Sequence, residues 1–169
     1  MNKVRLRALE LKDLDFLFEI ENDWNLWYLS HTQQPFSRKL LKQYIRDSDR
    51  DIYEARQLRL AIETTDNNFL IGFVDLFNFD PKNKRAGVGI VIHKEFQNKT
   101  FGTDTLLLLT QYAFNVLFLH QLYANISVDN TPSIHLFEKI GFKRIGIKKD
   151  WNFDGKKYKD EVMYQLINT

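Results

Sequence analysis

The stretch Gln97–Thr103, QNKTFGT, sets a lysine, two threonines and a single glycine where a polar turn enters a strongly apolar helix. A helix begins with backbone N–H groups that lack intrahelical partners, and its dipole adds partial positive charge there. A glycine just inside that end lets a ligand approach the backbone, and Lys99 adds a full charge. The turn therefore has the chemistry of an anion site suited to a pyrophosphate. Thr100 or Thr103 capping an ordinary core helix accounts for the same letters, and from this turn alone that is the commoner arrangement. Asp104 in the first turn favours neither. The Gly-Lys-Ser/Thr of a P-loop and the glycine spacing of a dinucleotide fingerprint are both absent.

Two other groups of residues carry chemistry. Asp75 lies inside the apolar run IGFVDLFNF, where an acid is costly unless paired, and this marks it as a candidate base. A place on a solvated strand face, or a pair with Arg85 across the hairpin, also accounts for it. Asp15, Glu19 and Asp23 recur at i, i+4 and i+8. Like charges at that spacing destabilise an isolated helix by about 0.2–0.5 kcal/mol per pair. Either Arg5 or Arg7 neutralises them, or they form a rim that attracts an amine. Trp24, Trp27 and Tyr28 follow directly, either as packing or as cover for an alkyl chain or ammonium. His93 has a suitable intrinsic pKa but ends a strand, where a structural role is commoner. His31, His120 and His135 read as surface residues.

Composition bounds the answer. A chain of 169 residues, 44% hydrophobic and 14% aromatic, can bury the core of one domain, expected over 1–169. No apolar run is long enough to cross a bilayer. The absence of cysteine excludes disulfides, thiolate metal sites and a cysteine nucleophile, and no metal is expected. A net charge of +2 argues against a nucleic-acid partner. The charge is uneven: six acids and one base lie between Glu10 and Asp23, and seven bases lie between Lys143 and Lys159. The start, MNKVRLRALELKDL, has no signal-peptide core, so a cytoplasmic protein with no membrane partner is expected.

The periodicities place these residues on elements. Val4–Leu9 alternates as a strand, and Leu11–Asn22 has helical spacing. Trp24–Pro35 reads as a loop, after which Ser37 caps a helix running to about Asp49. Gln57–Glu63, Phe69–Phe79 and Arg85–His93 read as an antiparallel meander. A helix over Thr100–Leu117 and a strand over Gln121–Val128 follow. Asn130 or Thr131 caps a helix with Pro132 in its first turn and Gly141 past its end. Phe142–Lys149 and Tyr158–Ile167 form a last hairpin with Asp154-Gly155 near its turn. The order β-α-α-β-β-β-α-β-α-β-β predicts an α/β or α+β layer fold around one mixed sheet.

QNKTFGT resembles the coenzyme A loop of the GCN5-related N-acetyltransferases (GNAT), Gln/Arg-x-x-Gly-x-Gly/Ala. Downstream, VDNTPSIHLFEKIGFKRIGIKKDWNFDGKKYKDEVMYQL is similar to the same family's C-terminal half. RLRALELKDLDFLFEIEND resembles the branch containing ribosomal-protein and spermidine/diamine acetyltransferases. The likeness covers nearly the whole chain in order. It implies a GNAT-like domain whose twisted, mostly antiparallel sheet has about seven strands flanked by about four helices.

The resemblance also implies acetyl-CoA as cofactor and acetyl transfer to a primary amine, a polyamine or other small amine first. A protein N-terminus, or a non-catalytic acyl-CoA-binding module, is the alternative, and a homo-oligomer is left open. Val91, Ile92 and His93 would hold pantetheine through main-chain groups. The amides of Lys99, Thr100, Phe101, Gly102 and Thr103 would take the pyrophosphate, with Gln97 bracing the turn. Asn130, Ser133 and Phe137 would flank the thiol end. Glu19, Asp23, Trp27 and Tyr28 would meet the amine, and Asp75 is the candidate base. Thr100 replaces the family's first loop glycine. Phe137 replaces a tyrosine proposed as general acid. Gly87 and Gly89 stand on a strand where relatives carry a glutamate.

Overall fold

A computed structural model describes residues 2–169. Seven strands form one sheet: β1 (Val4–Arg7), β2 (Leu58–Thr64), β3 (Leu70–Asp80), β4 (Arg85–Ile92), β5 (Gln121–Ser127), β6 (Lys143–Phe153) and β7 (Tyr158–Ile167). Their spatial order is β1-β2-β3-β4-β5-β7-β6, and only β4 and β5 run parallel. The expected meander is present as β2–β3–β4.

Four helices of eight residues or more flank the sheet: α1 (Leu14–Glu21), α3 (Arg38–Asp47), α5 (Phe101–Asn115) and α6 (Thr131–Ile140). Two single-turn helices were not expected, α2 (Trp27–Ser30) inside the aromatic loop and α4 (Ile52–Ala55). Caps set the boundaries. Ser37 Oγ accepts the Leu40 N–H at 3.1 Å, Asp51 Oδ1 accepts the Tyr53 N–H at 2.7 Å, and Gly141 ends α6 at φ 107°.

Each face of the sheet has its own core. Val74, Leu76, Val88, Leu122 and Ala124 pack under Leu106 and Leu109 of α5 and Phe137 of α6. On the other face Ala61 and Phe73 meet Leu17 and Ile20 of α1 and Leu41 and Ile45 of α3. An isolated helix as short as α1 is not stable in water. Burial of Leu17, 0% exposed, is worth roughly 1.5–3 kcal/mol and holds it in place.

The acidic segment is arranged differently from its spacing. Asp23 lies beyond the end of α1, so the i, i+4, i+8 face is interrupted. Asp15 pairs with Arg38 of α3, and Glu19 pairs with His93. Arg5 and Arg7, either of which was one account of that face, pair instead with Glu63, which is 3% exposed on β2. Arg7 also binds both oxygens of the buried Asp13. A buried carboxylate without such partners would be strongly destabilising, so these arginines serve the fold. Among the described residues no helix is long and apolar enough to cross a membrane.

Candidate active site

β4 and β5 are bonded only where Arg85–Gly87 meets Gln121–Tyr123. Beyond those rungs β4 stays with β3 as far as Ile92, while β5 stays with β7, and the two parallel strands part into a wedge. Alternation decides which groups face it. The His93 N–H donates to Ile71 O on β3 at 2.8 Å, so Ile92 and Ile90 turn their backbone groups toward the gap. The carbonyl of Ile92 accepts Gln97 Nε2 at 2.8 Å, the brace expected of Gln97. Val91 and His93 do not join this edge. Val91 is registered on Phe73 of β3, and the His93 carbonyl accepts the Phe96 N–H at 2.8 Å. Ile90 takes their place.

At the foot of β4 the chain turns into α5. Thr100 precedes the helix at φ −73°, ψ −3°, and its side chain makes no capping bond, so ordinary threonine capping is excluded. The Asp104 N–H reaches Thr100 O at 3.0 Å. Among the described residues the N–H groups of Phe101, Gly102 and Thr103 meet no acceptor. Lys99 Nζ sits 5.4 Å from the Phe96 ring centre and 5.9 Å from that of Phe101. Gly102 has a packing role besides the one expected. It is buried, and a Cβ there would lie 3.0 Å from Leu136 Cδ2, so the glycine lets α5 close on α6.

Above the turn the wedge opens into a cavity of about 370 Å³. Val88, Gly89 and Ile90 form one wall, Ala124–Ser127 of β5 the other, and Asn130, Ser133 and Phe137 of α6 the floor. Asn130 Oδ1 caps α6 by accepting the Ser133 N–H at 3.4 Å. Phe137 is 3% exposed and packs edge-on against Phe142 at 5.0 Å, and it has no proton to give. These three were expected together and are together.

The acceptor-side expectations divide. Tyr28 lines the cavity with Leu29 and His31 from the end of α2. Glu19, Asp23 and Trp27 do not. Glu19 meets His93 Nε2 at 3.2 Å, Asp23 Oδ1 accepts the Asn25 N–H at 2.9 Å, and Trp27 Nε1 donates to Glu21 O at 2.8 Å. Asp75 stands behind the wall, 3.9 Å from where a Cβ of Gly89 would be. Its Oδ1 accepts Arg59 Nε at 2.6 Å and its Oδ2 accepts Arg59 Nη2 at 3.3 Å, so its partner is Arg59 of β2, whereas Arg85 pairs with Asp80. Glu21 binds the same guanidinium. Burial works against the charge of Arg59, but Asp75, Tyr44 and Glu21 outweigh it and hold its pKa above the usual arginine value.

The far wall was missed from sequence. Glu161 of β7, 6% exposed, accepts Lys148 Nζ at 2.8 Å and Asn152 Nδ2 at 2.9 Å, and all three line the cavity with Trp151. Burial pushes the Glu161 carboxyl up, but the bonds from Lys148 and Asn152 win and hold it below the usual range. His31, read as plain surface, is exposed but also lines this cavity. The strand alternation puts Lys159, Glu161 and Met163 on one face. Only the register, Ser127 opposite Glu161, shows that this face is the wall of the wedge.

A parted pair of parallel strands over a helix N-terminus with unpaired amides defines an enzyme that grips an acyl-CoA. The residues present fit that cofactor at both ends, the strand edge and the turn. Residues 3–143 match the family model Acetyltransferase (GNAT) domain, and the chain belongs to that family. It is an N-acetyltransferase that uses acetyl-CoA. It is 29% identical to the spermidine N(1)-acetyltransferase of Vibrio cholerae, an alignment spanning 99% of this chain and 95% of that one. The crystal structure of the Vibrio cholerae spermidine N-acetyltransferase in complex with CoA and spermine superimposes with a TM-score of 0.88 at 26% identity, covering 99% and 96% of the two chains. A dodecameric structure of the Vibrio cholerae enzyme matches with a TM-score of 0.81 at 27% identity, covering 99% and 95%.

Proposed function

We propose that this chain transfers the acetyl group of acetyl-CoA to a primary amine of a polyamine. The supporting observation is the parted β4–β5 edge with its cavity, in a chain whose fold matches the CoA- and spermine-bound relative over 99% of this chain and 96% of that one. A multi-copy assembly like that relative's belongs to the same reading.

When bound, acetyl-CoA supplies an acetyl group activated as a thioester. The amides of Phe101, Gly102 and Thr103, with Lys99, hold the diphosphate by charge-assisted hydrogen bonds. The main-chain groups of Ile90 and the Ile92 N–H hold the pantetheine arm along the open edge of β4. Asn130 and Ser133 fix the floor beside the sulfur. The edge N–H groups of β4 would stabilise negative charge on a thioester carbonyl held beside them. Gly87 and Gly89 leave no carboxylate on the β4 wall, both oxygens of Asp75 are bound to Arg59, and those of Glu161 are bound to Lys148 and Asn152, so the acceptor ammonium gives its proton to cavity water. Phe137 offers no acid to the departing thiolate. A free thiol has a pKa of about 8.5, so a thiolate leaving group would not require one.

The experiment is thiol release from acetyl-CoA with spermidine, spermine, aliphatic diamines, aminoglycosides and short peptides. Turnover with the polyamines at the highest kcat/KM is the expected result. Turnover only with peptides, or none with CoA still bound, would replace this reading with N-terminal acetylation or with a binding module respectively.

A further inference from the structure

Lys148 Nζ is held by three groups on the wall of the acceptor cavity. Glu161 Oε1 accepts from it at 2.8 Å, Asn125 Oδ1 at 3.3 Å, and the Trp151 ring centre lies 4.7 Å away. A carboxylate, an amide oxygen and an aromatic face around one ammonium form a cation cage. The cage is built into the fold. Glu161 is 6% exposed, and its second oxygen is fixed by Asn152 Nδ2 at 2.9 Å. Asn125 stands on β5 two residues past Tyr123, where pairing with β4 ends, about 7 Å along the strand. The cage and the wedge thus share one cavity.

We infer that this cage is the subsite for the second ammonium of the acceptor and that Lys148 is its resident, tethered occupant. The inference rests on the polyamine reading. A primary ammonium on a lysine stem and one on a short aliphatic diamine present the same donor head to the same three partners. An acceptor whose reacting amine lies at the wedge and whose second amine reaches the cage displaces Lys148 toward solvent. A monoamine leaves Lys148 in place. Lys148 therefore sets the selectivity between monoamines and polyamines.

A structural ion pair and a self-occupied subsite predict different signs. In the subsite account Lys148→Met empties the cage and lowers the KM of spermidine about fivefold, while Glu161→Gln removes the anion and raises it about fivefold. The KM of a primary monoamine moves little in either variant, and the KM of acetyl-CoA stays put in both. In a purely structural account both variants weaken the hairpin and raise the spermidine KM together. Melting curves verify that each variant is folded. Equal or same-direction changes in Lys148→Met and Glu161→Gln overturn the inference and leave the polyamine reading intact. Absence of polyamine turnover in the wild-type enzyme overturns both.

Discussion

The ring of Phe77 occupies the space that a side chain at position 87 would need. A Cβ built on Gly87 would lie 2.4 Å from Cε2 and Cζ of Phe77, which lines the cavity and meets Tyr123 edge-on at 6.0 Å. The missing carboxylate on β4 thus has a packing counterpart on β3. Gly87→Ala is predicted to swing the Phe77 ring into the cavity. Acceptor kcat/KM falls about tenfold, at a stability cost of about 1–3 kcal/mol. Steady-state kinetics with a melting curve tests this. An unchanged kcat/KM would show that the ring lies outside the acceptor path.

Without a carboxylate on β4, the fraction of neutral amine should govern the rate. An alkylammonium has a pKa of about 10.4, so kcat/KM for the amine should rise close to tenfold per pH unit from about pH 7 to 9. A pH–rate profile with acetyl-CoA saturating is the measurement. A plateau near neutrality would reveal an internal base.

Asp75 and Arg59 make a different prediction from the one the sequence suggested. Asp75→Asn leaves a half-buried guanidinium with Glu21 as its only carboxylate, at a cost of about 1–3 kcal/mol in stability. Turnover falls through displacement of the wall behind Gly89, and the affinity for CoA is unchanged. Calorimetric binding of CoA alongside thermal melts separates these effects. Full turnover with a lowered melting point would assign Asp75 to the fold alone.

Glu63 ties acid stability to the arginine network. The bond from Arg7 is the largest influence holding its pKa below the usual value. A carboxyl whose folded pKa is depressed adds stability above its unfolded pKa, about 4.3, and loses it as pH falls toward the folded value. The melting point of the wild type should therefore drop more steeply below about pH 5 than that of Glu63→Gln. Parallel melting curves for the two proteins between about pH 6 and 3 would contradict this.

Much of this was legible in the chain because the signals were local. Ser37, Asn130, Pro132 and Gly141 mark helix ends through bonds within a few residues, and all four stand at the ends of their helices. QNKTFGT announced a turn entering a helix, and Gln97 braces it. What stayed hidden depends on pairing across the sheet. Asp75 meets Arg59 because β2 and β3 are in register at that pair. Glu161 lines the cavity because it stands opposite Ser127. The edge of β4 belongs to Ile90 and Ile92 because the His93 N–H faces β3. A one-residue slip would reverse each assignment, and spacing along one strand cannot set it. Gly102, read as ligand access, also lets α5 close on α6, and the two demands leave the same letter.

The central claim is that the amides of Phe101, Gly102 and Thr103 grip a diphosphate. Amide ¹H–¹⁵N spectra of the protein titrated with CoA, and separately with pantetheine, test it most directly. The account predicts large downfield proton shifts for those three amides with CoA and not with pantetheine, which instead moves Ile90 and Ile92. Saturating CoA that leaves the Phe101–Thr103 signals in place would contradict it.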